Sequence, residues 1–453
     1  MEPAQIDSTL KSIRSALEGG DVEAALTCLL RLRPEDRADA FADLDNAAQT
    51  TLLPRMDLPD AADLLEDLDD DHAADVAETM SIGQLADVLD EMEPDEAADV
   101  LGDLSADHAA QVLAEMEDAE EVIPLLGHPD ETAGGLMTTA YIALRRHTTA
   151  AQAIEFLRHL DPDEEAPYYL YVVDRNKCLI GVVGLRDLVL ADPEAVVETF
   201  MDTDVIYVTA GTDQEDVARL FARYDLTALP VVNQSGHLIG VITLDDILDV
   251  LEEETTADVL QLGGIEPGPV INKPYWSQRV FEVARSRFVW LLGLFVAETL
   301  TGTVLRHFSS ELEAVVSLSF FIPLLIGTGG NAGSQTVATV IRALALDEVR
   351  RRDVLRVLAR ELQTGILLGS LLGVVAFGRV LLWGLPTSMA AVVAITILAI
   401  CIWANTVGCL VPILADAVGI DPTVMSAPLI TTLVDATGLL IYLRVAALVL
   451  EQI

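Results

Sequence analysis

The chain is 453 residues long, 51% hydrophobic, and carries a formal net charge of −45 at pH 7. That length implies several domains, and that charge excludes nucleic acid as a partner, since phosphate would be repelled, while it favours cations. Hydropathy and charge conflict until the chain is divided: residues 1–270 hold 14 Lys and Arg against 60 Asp and Glu, net −46, and residues 271–453 hold 13 against 12, net +1.

Residues 1–130 read as an all-α superhelical N domain. Met56, Leu68, Met80, Met92, Leu104 and Met116 recur at one phase of a 12-residue period. Around them run PDAADLLEDL, DHAADVAETM, IGQLADVLDEM, PDEAADVLGDL and DHAAQVLAEM, each a short amphipathic helix with an Ala-Leu face and an acidic cap. Such units need stacked neighbours to bury their apolar faces. The acidic turns lack EF-hand spacing, so a loose divalent-cation surface is expected rather than a tight site.

Next come two copies of one unit, LYVVDRNKCLIGVVGLRDL (170–188) and LPVVNQSGHLIGVITLDDI (229–247), at an offset of 59. Each reads strand, turn, strand, then a helix opened by an Asp N-cap, with a helix before it. The pattern resembles an α/β tandem CBS pair over 134–255, with copies at 134–200 and 201–255. That resemblance implies an adenine nucleotide such as ATP in the cleft between copies, lined by Tyr169, Arg186, Asp187, Ala228, Leu229, Pro230 and Asp246. An aspartate can hold ribose hydroxyls, and Arg186 can meet a phosphate. A pair serving only as a dimerisation scaffold is the alternative. Asp213, Glu215, Asp225, Asp245, Asp246 and Asp249 make the module acidic and are candidate metal ligands.

LDDILDVLEEETTADVLQLGG reads as one long acidic helix that includes Asp258 and stops at Gly263-Gly264; it forms a linker over 247–270.

Residues 275–453 read as an all-α polytopic membrane domain with five transmembrane helices, at roughly 288–308, 314–341, 362–384, 388–414 and 424–450. Tyr275 and Trp276 are expected as interfacial anchors. Arg342, Arg350, Arg351, Arg352, Arg356 and Arg360 follow the second span, which by the positive-inside rule puts the acidic front in the cytosol and the C-terminus outside. A reducing compartment agrees with four cysteines in no CxxC pattern, and the acidic start MEPAQIDSTLKS has no signal-peptide character. Gly365, Gly369 and Gly373 mark a close helix contact. In IPLLIGTGGNAGSQTVATV the glycines are expected to loosen or break the helix, with Asn331 and Gln335 offering carbonyl oxygens to a hard cation. Asp435, within APLITTLVDATGLLIYL, has no cation within a helical turn; a carboxylate at that depth is expensive and points to an ion path. Glu298 is a second intramembrane acid.

This order of domains, with GTGGNAGSQ in the second span and SAPLITTLVDATG in the fifth, resembles the MgtE family of magnesium channels over nearly the whole chain. The resemblance implies a homodimer in a prokaryotic plasma membrane, with a pore on the two-fold axis and Mg²⁺ held by Asp435. It further implies that cytosolic Mg²⁺ binds the acidic domains and drives the linker helix to plug the pore. Where many members carry a second Asn, this chain has Ser334. A cation-coupled divalent-metal carrier and a membrane-tethered CBS sensor of nucleotide or metal are the competing readings; no catalytic motif suggests an enzyme.

Overall fold

The computed structural model describes residues 3–159, 169–266, 279–346 and 348–450. Tyr275 and Trp276 lie outside the described residues. The chain divides into two compact units, Met1–Glu254 and Thr255–Ile453.

The first unit begins with short helices: α1 (Pro3–Glu18), α2 (Val22–Leu29), α3 (Pro34–Ala42), α4 (Asn46–Leu52), α5 (Leu58–Glu66), α6 (Asp70–Ala77), α7 (Ile82–Leu89), α8 (Pro94–Asp103), α9 (Ala106–Leu113) and α10 (Ala119–Val122). Helices α5 to α9 start at 58, 70, 82, 94 and 106, so the 12-residue period is the pitch of the stack. The phase-marking residues Leu68, Met80, Met92, Leu104 and Met116 are buried between successive helices. No helix of eight to ten residues holds itself in water, so the stack exists through this shared apolar seam.

Two three-stranded sheets follow. The first comprises β1 (Ala143–Arg145), β2 (Tyr169–Val173) and β3 (Leu179–Gly184), with α11 (Ala150–Leu157) and α12 (Leu185–Leu190). The second comprises β4 (Val208–Thr209), β5 (Ala228–Val232) and β6 (Leu238–Thr243), with α13 (Gln214–Tyr224) and α14 (Leu244–Leu262). The offset of 59 survives in the register: Val172 faces Gly181 and Val231 faces Gly240, and both copies shift register at the next residue. The expected Asp N-caps are corrected. Gly184 caps α12, and Asp187 and Asp246 each stand at the third helical position. From there Asp246 reaches back, accepting from the Thr243 backbone N–H (3.2 Å) and hydroxyl (2.8 Å), which satisfies donors ahead of the helix from inside it. The second copy shares one core with the helical stack, where Val217, Phe221, Leu229 and Ile242 join Ala97, Leu101 and Val122; the first copy keeps its own around Leu144, Leu170 and Val183.

Helix α14 crosses the division between units and ends at Leu262; Gly264 follows with φ +72°. The second unit holds α15 (Val280–His307), α16 (Ser309–Ala314), α17 (Ile322–Ala345), α18 (Val354–Leu382), α19 (Thr387–Ala417) and α20 (Ala427–Val449). The five long ones are long and apolar enough to cross a membrane. Helices α15 and α18 begin eight residues earlier than expected, because their charged first turns continue the helix. Half of the most apolar stretch of α19 is buried, against 6% for α15, so α19 is central and α15 peripheral.

The expected break in the second span is also corrected: α17 is continuous through all its glycines. Each glycine costs a helix about 1 kcal/mol relative to alanine, and here close packing offsets that cost. A Cβ on Gly329 would stand 2.6 Å from Ile400 Cγ2, and one on Gly330 2.8 Å from Thr431 Cγ2. The expected contact at Gly365, Gly369 and Gly373 is formed against Cys401, Leu398 and Ala394 of α19. At Gly369 a Cβ would lie 2.8 Å from the Leu398 Cα, and backbone cannot yield as a side chain can. We therefore expect Gly369→Val to destabilise the purified protein by at least about 1–3 kcal/mol, read as a lower melting temperature in detergent; an unchanged value would remove this contact from the account.

Candidate functional site

In the second unit the site is built on α20. Asp435 is 9% exposed, and its Oδ1 has no hydrogen-bond partner. The surrounding face of α20 is Ile430, Val434, Gly438 and Leu439, all buried. Neither a lysine nor an arginine pairs with Asp435 among the described residues; Arg444, on the same helix, lies instead over the Phe308 ring, 5.7 Å from its centroid. The carboxylate of Glu298 on α15 is close enough to repel that of Asp435. A buried carboxylate with an open oxygen and a like-charged neighbour is a place for a cation.

Helix α17 packs its glycine face on α20, and Ser334 Oγ lies 3.2 Å from Thr431 Oγ1. Asn331 and Gln335 are exposed, about 200° around the helix from Gly329 and Gly333. Within one chain, then, Asp435 is drawn inward while Asn331 is presented outward.

The sequence does not show that polar residues of three helices converge on Glu361. Asn405 of α19, 1% exposed, donates through Nδ2 to Glu361 Oε2 of α18 at 3.1 Å, and Thr336 of α17 donates to the same oxygen at 3.4 Å. This ties three helices together at one carboxylate. Glu361 stands at the end of an arginine-rich run and one residue before the expected third span, so it read as a flanking charge; the earlier start of α18 puts it inside the helix.

The end of the linker helix packs on this unit. Leu262 joins the apolar cluster of Val337, Ile341, Val407, Ile430 and Val434. Thr423 donates its hydroxyl to Gln261 Oε1. The Trp290 indole lies against Gly264, with Pro428 beyond.

In the first unit the candidate metal ligands are spread out. Asp213 caps α13, accepting from the Glu215 N–H at 3.0 Å, whereas Asp225 sits at the far end of that 11-residue helix with φ +51°, about 18 Å away. Glu215 is engaged by Arg219. Asp245 and Asp249 are exposed, and Asp246 and Asp258 half-buried, all on α14. Partial desolvation of its carboxylate, then the like charges of Glu252, Glu253 and Asp245, raise the Asp249 pKa even though the residue is exposed as a whole. Burial likewise raises that of Glu254, with Glu215, Asp213 and Glu131 adding to it against a 2.8 Å hydrogen bond from Gln214. Among the described residues no group of three or more His, Cys, Asp or Glu side chains is placed to hold a metal ion.

The sequence also did not single out Asp95. It lies in the first turn of α8, 6% exposed, with Oδ1 lacking a hydrogen-bond partner. Burial, followed by the facing carboxylate of Asp246, pushes its pKa up to about 7; hydrogen bonds from backbone N–H groups and Thr138 act the other way. Nothing in the 12-residue repeat marks Asp95, because every unit carries such acids and only packing against the second sheet module buries this one.

Of the residues matched to a nucleotide cleft, Tyr169 and Ala228 share one apolar cluster between the two sheet modules with Tyr171 and Val241. Arg186 and Asp187 are exposed, and Pro230 is buried. The fully buried Leu229 points into the core shared with the helical stack, opposite to Ala228 and Pro230 as strand alternation requires.

Comparison with known proteins agrees with this architecture. The MgtE divalent cation transporter model matches residues 322–445, the MgtE intracellular N domain model 32–131, and the CBS domain model 133–194 and 197–253. The magnesium transporter MgtE of Thermus thermophilus is 44% identical over 333 residues, covering 74% of this chain and 73% of that protein. Its counterpart in Enterococcus faecalis is 35% identical over 337 residues, covering 73% and 72%. A crystal structure of the cytosolic domain of the Mg²⁺ channel MgtE in complex with ATP aligns with 53% of this chain and 99% of its own, at TM-score 0.50 and 36% identity. A helical stack, a CBS pair and five long apolar helices, with this extent of shared sequence, place the chain in the MgtE family.

Proposed function

We propose that this protein is a homodimeric Mg²⁺ channel of a prokaryotic plasma membrane, closed from the cytosolic side by Mg²⁺ itself. The observation that carries the proposal is Asp435, a buried carboxylate with an open oxygen on α20. Two copies across a symmetry axis would concentrate negative charge where a hydrated Mg²⁺ passes, with Asn331 offering an amide oxygen to its water shell. The relatives named as magnesium transporters support the choice of ion.

Gating follows from charge. Residues 1–270 carry net −46 per chain, so two such parts repel, and divalent ions bound among the acids of the first unit favour a compact, closed state. Candidate ligands are Asp95, Asp213, Glu215, Asp225, Asp245, Asp246, Asp249 and, on the linker, Asp258. The linker helix, seated through Leu262, Gln261 and Gly264, transmits that state to the membrane helices. ATP in the cleft between sheet modules, beside Tyr169, Arg186, Asp187, Ala228, Leu229, Pro230 and Asp246, would tune the same equilibrium; the ATP-bound relative supports this.

Patch recordings from the purified protein in liposomes test the proposal. Unitary currents that vanish as Mg²⁺ rises on the linker-bearing face are expected. Slow flux without unitary currents, dependent on a H⁺ or Na⁺ gradient, would establish a carrier instead. Gly264→Ala should loosen the linker seat, because it forces a left-handed φ on a residue with Cβ and drives that Cβ into Trp290. We expect the Mg²⁺ concentration for half-closure to rise about tenfold; an unaltered closure curve would dissociate the linker seat from gating.

A further inference from the structure

Beside the ion path, the turn joining α17 to α18 encloses a second feature: a cavity of about 450 Å³ lined by Leu344, Val349, Arg350, Arg351, Arg352 and Asp416. We propose that it binds the phosphate of an anionic phospholipid headgroup. Three arginines and one acid, Asp416, line the cavity. Asp416 is held by Arg351, which donates through Nε at 2.8 Å and through Nη2 at 3.3 Å. Asp353 accepts the Arg350 backbone N–H at 3.2 Å. No ion pair engages Arg352 among the described residues. The Arg351–Asp416 fork joins the start of the α18 segment to the end of α19 and holds the cavity wall in place.

Guanidinium groups match phosphate geometry through paired N–H donors, and basic pockets between membrane helices are sites for phosphate-bearing headgroups. The N-terminus of α18, a 29-residue helix, adds its partial positive charge beside Arg351 and Arg352. A free phosphate would need only these charges. The apolar surroundings favour a lipid: Leu344 and Val349 line the cavity, and Leu346 and Leu355 nearby are 56% and 76% exposed. A cationic pocket edged by exposed leucines on helices that enter a bilayer fits a molecule with an anionic head and acyl tails. The proposal rests on the membrane unit and holds for channel or carrier alike.

The test uses the full chain in nanodiscs of phosphatidylcholine with or without phosphatidylglycerol, with retained lipid counted by native mass spectrometry. The wild type should retain phosphatidylglycerol in preference. Arg352→Gln should lose about fivefold of that preference, and Arg350→Gln/Arg352→Gln about thirtyfold, at roughly fivefold per basic group. Arg352→Lys, which keeps charge but not the fork, should fall between and serves if the glutamine variants do not fold. Equal retention by the wild type and a folded variant overturns the site. In phosphatidylcholine alone, inorganic phosphate and ATP are added and melting is followed. Stabilisation equal to that by phosphatidylglycerol, and lost in the same variants, would identify a soluble phosphate and overturn the lipid assignment.

Discussion

Replacing Asp435 with Asn is expected to abolish Mg²⁺ flux while making the protein more stable. The two effects have one cause. The buried carboxylate has an oxygen with no hydrogen-bond partner, and a charge at membrane depth costs about 2.5–3.5 kcal/mol on insertion scales. The amide has nearly the same shape and removes that cost, so the melting temperature in detergent should rise. Flux should fall on the order of a hundredfold or more, because each of two subunits forfeits a charge-assisted contact of about 1.5–3 kcal/mol. The pair of measurements separates a structural role from an ionic one. A structural acid would give lower stability on substitution, and retained flux would remove Asp435 from the ion path.

The second large effect concerns Asp95 and the pH dependence of stability without Mg²⁺. Its pKa in the fold stands near 7 against an ordinary 3.8, raised first by burial and then by Asp246. The folded protein therefore holds this proton over a range where the unfolded chain has released it. The favourable contribution is complete at pH below the ordinary value and is lost as pH rises through about 7, a swing of up to about 4 kcal/mol. In chelator, the apparent melting temperature of the purified protein should drop from about pH 5 to about pH 8. Millimolar Mg²⁺ should flatten that drop, since a cation near Asp95 and Asp246 compensates the ionised pair. Asp95→Asn should flatten it in chelator too, and should weaken the Mg²⁺ dependence of closure, because it removes both the repulsion and the group that attracts the ion. A slope in chelator that is the same in wild type and Asp95→Asn would show that Asp95 does not titrate in this range.

Much of the architecture was legible before any coordinates. The 12-residue period, the repeat at an offset of 59 and the five apolar segments are one-dimensional patterns, and each maps directly onto a repeated physical unit: a helical layer, a sheet module, a span. The same logic misled where a local rule met a packed neighbour. Glycine-rich α17 was expected to break by intrinsic propensity, yet it stays helical because Ile400, Thr431 and Val434 occupy the space its side chains would fill. The Asp residues that open α12 and α14 were expected as N-caps by their place in the pattern, but they stand one turn inside.

The sequence by itself determined the division into an acidic front and a neutral apolar back, the five helices long and apolar enough to cross a membrane, and the singling out of Asp435 as a candidate, since a lone carboxylate in an apolar run is visible in one dimension. Tertiary structure alone decided which of the many other acids lose solvent and gain partners. Asp95 is one among 60 acidic residues in the first 270, and only burial against Thr138 and Asp246 sets it apart. Glu361 looked like the end of a charged loop until α18, α19 and α17 brought Asn405 and Thr336 to it. The reason is physical: the cost of a charge depends on the solvent and partners it loses on folding, and those are supplied by residues distant in the chain.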